Sequence, residues 1–150
     1  MKRFHFPLEK VLRYRQLLVE AEEAKLEAAT ARVREIDRLV ADIDTESSGT
    51  ADAVRAMLAS ERELEPSYLA TYPDYRFLLA RNRHGFLAER ERALVAVERQ
   101  RLALVEARRA HEILVRARSM AKDRWQSEFL KEQETVAGEL FLSSWGRRRR

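Results

Sequence analysis

A seven-residue apolar repeat near the start of the chain constrains its fold more than any other feature. One line of this repeat consists of Leu12, Val19, Leu26, Val33 and Val40. The second line falls three residues after each of these and starts one heptad earlier. It consists of Leu8, Arg15, Glu22, Ala29, Ile36 and Ile43. Two such lines share one face of an α-helix, and this spacing is typical of a helix that packs along another helix. The repeat therefore predicts a contact surface.

The scarcity of turn residues predicts few, long helices. The chain has only 4 Gly and 3 Pro, and charged residues make up 36% of it. Pro7 suits the first turn of a helix, so a first helix is predicted over about 7–46. Ser47 to Thr50 predict an interruption, because Ser and Thr offer competing hydrogen bonds and Gly49 is costly inside a helix. Residues 51–64 then form either a short separate helix or a continuation after a kink.

A second helix is predicted over about 72–142, after a connecting region over about 47–71. Thr71 can cap this helix, Pro73 fits its first turn, and Asp74 can complete a capping box. Its apolar stripe is broader and keeps no strict heptad along its whole length. Two long helices bury both stripes by folding back on each other. The predicted fold is all-α: an antiparallel two-helix coiled-coil hairpin with an irregular, partly helical connecting region. It forms a single elongated domain (1–150) with a basic tail (143–150).

The net charge indicates which partners to expect. The formal charge of +4 is accounted for by Arg147 to Arg150, and the rest of the chain is balanced. This weighs against a nucleic-acid-binding face. The arginine run beside Trp145 is expected to be a disordered, solvated tail; RNA, an acidic protein surface and anionic lipid are the alternative contacts.

No apolar run is long enough to span a bilayer, and Glu9 and Lys10 interrupt any export segment. A soluble, intracellular protein is expected.

The residues that carry chemistry are few and scattered. The chain has no cysteine, and none of His5, His84 and His111 has a second His at metal-ligand spacing. One tight acidic cluster is interpreted as a solvated helix end. It consists of Asp42, Asp44 and Glu46. The sequence has no Gly-rich phosphate loop and no nucleophile elbow. We therefore expect no enzyme activity, no cofactor, no metal site and no small-molecule substrate.

Four residues at the start of the second helix form the predicted partner-binding site. They are Tyr72, Tyr75, Leu79 and Phe86. Their spacings of three, four and seven residues place them on one helix face. One interpretation is that they pack against the first helix, around Ile43 or Leu58. The other is an exposed aromatic patch that contacts a partner.

The opening segment carries a family resemblance. Residues 4–16 read Phe-His-Phe-Pro-Leu-Glu-Lys-Val-Leu-Arg-Tyr-Arg-Gln. This opening resembles the start of the FliJ family, the small coiled-coil component of the bacterial flagellar protein-export apparatus. The plan of two long charged helices and a connecting region is similar to that family along the whole chain. The resemblance implies a cytoplasmic antiparallel coiled coil with a stalk-like role.

The resemblance also implies partners. They are the hexameric export ATPase (FliI-like), the export gate protein (FlhA-like) and, in addition, export chaperones. The protein would then be peripherally associated with the export apparatus at the inner membrane. In the family a patch near the hairpin turn contacts the gate, and by their aromatic pattern Tyr72, Tyr75, Leu79 and Phe86 match that patch.

Two other functions remain open at this point. One is a structural coiled coil or chaperone-like adaptor without a flagellar role, for example a stalk of a related secretion system. The other is RNA binding through the arginine tail, which predicts strongly salt-dependent association.

Overall fold

Two long helices make up the fold. The computed structural model describes residues 3–60 and 66–147, and within these ranges the elements are α1 (Glu9–Ala59) and α2 (Pro66–Arg147), with no strand. The helices pack against each other. The all-α prediction is therefore confirmed. The middle of the predicted connecting region, 61–65, and residues 148–150 of the predicted tail lie outside the described residues.

The start of α1 follows from the proline before it. Pro7 lies in a turn, the backbone N–H of Glu9 donates to the carbonyl of Phe6 at 3.2 Å, and the N–H of Leu12 donates to Leu8 at 2.9 Å. The carboxylate of Glu9 lies in the first turn, where the helix dipole favours negative charge. The helix thus begins two residues after the predicted start.

The inward face of α1 follows the predicted repeat. Val19, Val33 and Ile36 are buried, and the other positions of both lines are half-buried. The exception is Leu8, which is 44% exposed.

The predicted interruption at 47–50 is wrong, because α1 continues through it without a break. Ser47 and Thr50 extend the two lines of the repeat and are half-buried, and Val54, one heptad after Ser47, is buried. The hydroxyl of Thr50 donates to the carbonyl of Glu46 at 2.9 Å, so it bonds within the helix rather than competing with it. Residues 51–59 are therefore a direct continuation of α1. Packing of the inward face outweighs the low helix propensity of this segment.

The bounds of α2 are wider than predicted. It begins at Pro66 rather than near 72, and it ends at Arg147 rather than near 142. Proline suits a first helical position, so Pro66 takes the place predicted for Pro73, which lies inside the helix. Residues 143–147 of the predicted tail are helical.

One inward line of α2 keeps a strict heptad over residues 72–121, although the helix as a whole keeps none, as predicted. Its members are all buried or half-buried, and they are Tyr72, Leu79, Phe86, Ala93, Gln100, Ala107, Leu114 and Ala121. The second inward line shifts along the helix, which accounts for the broad apolar stripe in the sequence. Alanine and glutamine at four of these positions conceal the strict line, because they add little apolar bulk.

The chain divides into two compact units. The terminal unit comprises Met1–Ala21 and Val105–Arg150, and the middle unit comprises Glu22–Leu104. In the middle unit Asp37 contacts Arg90 and Asp44 contacts Arg83, so the two helices run antiparallel. The terminal unit is antiparallel as well. There Phe4 contacts Trp125 and Glu9 contacts Arg118. The single-domain expectation stays a prediction.

Neither helix, in the part of the chain that the structure describes, is long and apolar enough to cross a membrane.

The continuity of α1 predicts the effect of substituting Gly49. Outside its neighbours and the backbone of its own helical turn, an added Cβ would meet no atom within 4 Å. Gly49→Ala should therefore raise the free energy of unfolding by roughly 1 kcal/mol, because Ala has the higher helix propensity. Gly49→Pro should lower it by about 3 kcal/mol, since proline removes a helix hydrogen bond and clashes with the preceding turn. Urea unfolding measures both. A less stable alanine variant would contradict a continuous helix at this point.

Candidate partner-binding surface

Ion pairs beside the apolar seam fix how the helices pair in the middle unit. Asp37 and Asp44 each follow an inward isoleucine of α1, and they contact the Nε atoms of Arg90 and Arg83 at 2.6 and 2.7 Å. The two acids are one heptad apart, and so are the two arginines. Exposed pairs of this kind contribute little stability. Their repetition at heptad spacing favours one register and the antiparallel direction.

A second set of polar contacts lies on the other side of the seam. Arg32 of α1 contacts Glu89, and the hydroxyl of Tyr75 donates to the carboxylate of Glu46. The carboxylates of Glu89 and Glu46 raise the pKa values of Arg32 and Tyr75, respectively, through these hydrogen bonds. The seam of the middle unit is thus bordered by cross-helix polar contacts on both sides. In the terminal unit, the side chain of Glu9, which follows Leu8, accepts from Arg118 at 2.9 Å.

The charged seam position Glu22 is satisfied by its neighbours. Its carboxylate accepts hydrogen bonds from Lys25 at 2.7 Å and from the amide of Gln100 on α2. These two bonds, Lys25 first, lower the pKa of Glu22. A carboxylate held in its charged form by a lysine and an amide serves as a pairing group, and this chemistry does not suit a general acid.

The acidic cluster interpreted from the sequence as a solvated helix end lies inside α1, so that interpretation is wrong. Asp44 and Glu46 are the members that bond to Arg83 and Tyr75 on α2. Asp42 is exposed. Heptad spacing from Asp37 to Asp44 was the signal in the sequence that could have indicated cross-helix pairing.

The four residues of the predicted partner-binding site do share one face, and that face packs toward α1. Leu79 is 6% exposed and belongs to the core, while Tyr72, Tyr75 and Phe86 are half-buried. The interpretation that these residues pack against the first helix therefore applies to Leu79. Contact with a partner through the remaining three stays a prediction.

The two tyrosines are the members of this site that border an open depression. Tyr72 and Tyr75 line an open depression of about 240 Å³ together with Thr50 and Thr71. The guanidinium of Arg76 lies over the Tyr72 ring at 5.8 Å from its centroid, which is a cation–π distance. A partner that reached this depression would meet tyrosine rings and hydroxyl groups.

Among the described residues of this part of α2, the most exposed aromatic residue is Phe77, which the predicted partner-binding site leaves out. It is 71% exposed, and the adjacent Leu78 is 49% exposed. Both fall between the heptad positions Tyr75 and Leu79, so they point away from the seam. A search for apolar residues just outside the repeat could have found them.

The terminal unit carries a further apolar surface beside its seam. Tyr14 and Leu17 are 58% and 61% exposed, and both lie in the opening of α1. An open cavity of about 490 Å³ is lined by Leu12, Arg13, Gln16, Leu17 and His111. Clustered exposed apolar side chains mark contact sites more often than isolated ones do.

The chemistry needed for catalysis is sparse in the described parts of the chain. Within them no group of three or more His, Cys, Asp or Glu side chains could hold a metal ion. His5 and His84 are exposed, and His111 is half-buried toward the seam. The expectations of no enzyme activity and no cofactor stay predictions.

Comparisons of the chain with protein-family models, with curated proteins and with solved structures find no match. The likeness of residues 4–16 to the FliJ family therefore stays a resemblance.

Substituting neighbouring leucines separates the two interpretations of the predicted site. Leu79→Ala should lower the free energy of unfolding by roughly 2–3 kcal/mol, the lower part of the range for buried leucines because the seam is thin. Leu78→Ala is the matched control and should change it by less than about 1 kcal/mol, since surface substitutions have small effects. Urea unfolding distinguishes them. Equal, small losses would mean that Leu79 is available to a partner.

The Tyr75–Glu46 hydrogen bond predicts a pH dependence of stability. The folded-state pKa of Tyr75 is raised, so the bond's contribution is fully present below the ordinary tyrosine pKa of roughly 10 and is lost as the pH rises through the folded-state value. At neutral pH the unfolding midpoint of the wild-type protein should therefore be higher than that of Tyr75→Phe. This difference should shrink in strong alkali.

Tyrosinate absorbance supplies the control for this assignment. The difference in absorbance between wild-type protein and Tyr75→Phe isolates the titration of Tyr75. Glu46→Gln should move that titration to lower pH, because the charged acceptor is gone. An unshifted titration would mean that the hydrogen bond does not form.

Proposed function

We propose that this chain is a non-catalytic, stalk-like component of the flagellar protein-export apparatus. In this role it binds and stimulates the hexameric export ATPase and couples it to the export gate. The observation that carries the proposal is the opening segment: residues 4–16 resemble the FliJ family, and the same segment begins the terminal unit with apolar side chains exposed beside its seam.

The ATPase contact is assigned to this opening segment together with Leu17, the residue that follows it. Tyr14 and Leu17 offer apolar area outside the helix pair, and Arg13 and Gln16 supply polar groups at the edge of the adjoining cavity. Aromatic anchors bordered by arginine are typical of the centres of protein interfaces.

The coupling mechanism is one of differential contact. A stalk that contacts the subunits of a ring unequally favours one subunit conformation over another, and it can do so only if its affinity differs between those conformations. Ion pairs at heptad spacing hold one register of α1 against α2 within the middle unit. A fixed register is what a mechanical coupling element needs.

The gate contact is assigned to the start of α2. Since Leu79 is buried, the available surface consists of the rims of Tyr72, Tyr75 and Phe86. Export chaperones are further proposed partners. The protein would act in the cytoplasm, peripherally associated with the export apparatus at the inner membrane.

The proposal predicts that the purified chain co-purifies with its cognate export ATPase and raises the rate of ATP hydrolysis. Tyr14→Ser with Leu17→Ser should weaken this association roughly ten-fold, because an interface loses two exposed apolar side chains. Phe77→Ser with Leu102→Ser is the matched control, since both are more than 60% exposed but lie in the middle unit. Hydrolysis rate and binding affinity are the two measurements.

Three outcomes are informative. Selective loss in the Tyr14 and Leu17 variant supports the proposal. Equal loss in the control variant contradicts the assignment of the contact to the terminal unit. No co-purification together with unchanged hydrolysis contradicts the ATPase partner altogether, and it favours the structural or adaptor alternative.

A further inference from the structure

In the described part of the terminal unit, the last part of α2 is not covered by α1. Phe4 contacts the Trp125 ring at a centroid distance of 6.0 Å, and Trp125 stacks on Phe129 at 5.4 Å. After Phe129 every described side chain from 130 to 145 is exposed. The helix nevertheless continues to Arg147.

This exposed end is apolar over most of its circumference. Leu140, Phe141 and Leu142 are 65%, 66% and 68% exposed, and successive helical residues point about 100° apart. Trp145, four residues after Phe141, lies on the same side and is 55% exposed. A single partner helix covers a stripe about 100° wide. These side chains span too wide an arc for one such partner.

Charge at this end is arranged in a definite order. Between 136 and 145 the only charged residue is Glu139, two positions before Phe141 and therefore on the opposite side of the helix. Four arginines, Arg147 to Arg150, follow at once and account for the net charge of the whole chain. An apolar, aromatic helix end followed by a basic run is complementary to an anionic surface with an apolar interior.

We infer that the segment from Val136 to Arg150 docks on the surface of an anionic lipid bilayer. Phe141 and Trp145 enter the boundary between headgroups and acyl chains, Glu139 remains on the water side, and the arginines contact lipid phosphates. Stable attachment of this kind needs two signals, and the apolar helix end and the basic run supply them together. This contact is independent of the ATPase and gate contacts.

Other partners fit these features less well. RNA would use the arginines but leave the exposed Leu140, Phe141 and Leu142 without a role. A second copy of the chain would cover a narrower stripe, and in a parallel pairing it would bring two runs of four arginines into the same contact. An acidic protein would need a concave apolar surface around most of a helix. Each of these partners is an outcome of the test below.

The test is co-sedimentation of the full chain with lipid vesicles. Binding is expected to vesicles that contain phosphatidylglycerol and not to vesicles of phosphatidylcholine alone. Each arginine near an anionic surface contributes about five-fold in affinity, so replacing Arg147 to Arg150 by serine should weaken binding by roughly a hundred-fold or more. Phe141→Ser with Trp145→Ser should weaken it by about ten-fold or more.

Two matched controls isolate the segment. Replacing Arg34, Arg38, Arg81 and Arg99 by glutamine removes the same charge from exposed positions elsewhere and should leave most of the binding. Phe77→Ser with Leu102→Ser removes exposed apolar area elsewhere and should leave it unchanged. In a Trp125→Phe variant the emission of Trp145, then the sole tryptophan, should shift to shorter wavelength on binding vesicles. Circular dichroism checks that every variant remains helical.

Several results would overturn the inference. They are absence of binding to anionic vesicles, equal losses in the control variants, and binding that persists without Phe141 and Trp145. Concentration-dependent dimerisation through the segment, without vesicle binding, would assign it to a second copy. Salt-sensitive RNA binding that needs only the arginines, again without vesicle binding, would assign the tail to nucleic acid.

Discussion

The structure depends on one constraint: an inward side chain of α1 is removed from water only where α2 lies beside it. Each helix therefore has about two inward positions in every seven residues. The other helix must lie beside these positions along its length. This constraint keeps α1 helical through Gly49, where local propensity favours a break. It also explains why the helix pair has a thin apolar seam. Among the described residues, Ile36 alone is fully buried.

Charged side chains favour one register and one direction of the helix pair, which the apolar seam alone does not specify. Apolar contacts are non-directional, so a seam of valine, leucine and alanine would accept more than one register and either direction. Acidic residues follow Leu8, Ile36 and Ile43 of α1, and each has an arginine partner on α2. These pairs are partly exposed and individually weak. Their value is specificity, and this accounts for part of the high charge content of the chain.

Much of the fold could be predicted from the sequence, because large apolar side chains occupy most of the repeat positions of α1. The strict line of α2 could not, since Ala93, Gln100 and Ala107 carry no strong hydrophobic signal. The same reasoning placed Tyr75 and Leu79 on one face but could not tell where that face points. A helical repeat shows which residues share a face, and only the partner helix decides whether that face is covered. Phe77 was missed for another reason, since it lies between the heptad positions that the predicted site follows.

The small inward residues of α2 have a calorimetric consequence. Alanine at positions 93, 107 and 121 brings little apolar surface into the seam, so unfolding exposes little new apolar area for each residue. The heat-capacity change of unfolding per residue should then fall below the ~12–15 cal/mol/K typical of globular domains. A small heat-capacity change flattens the dependence of stability on temperature. Such a helix pair would lose its fold gradually on heating and would resist cold denaturation better than a globular domain of the same length.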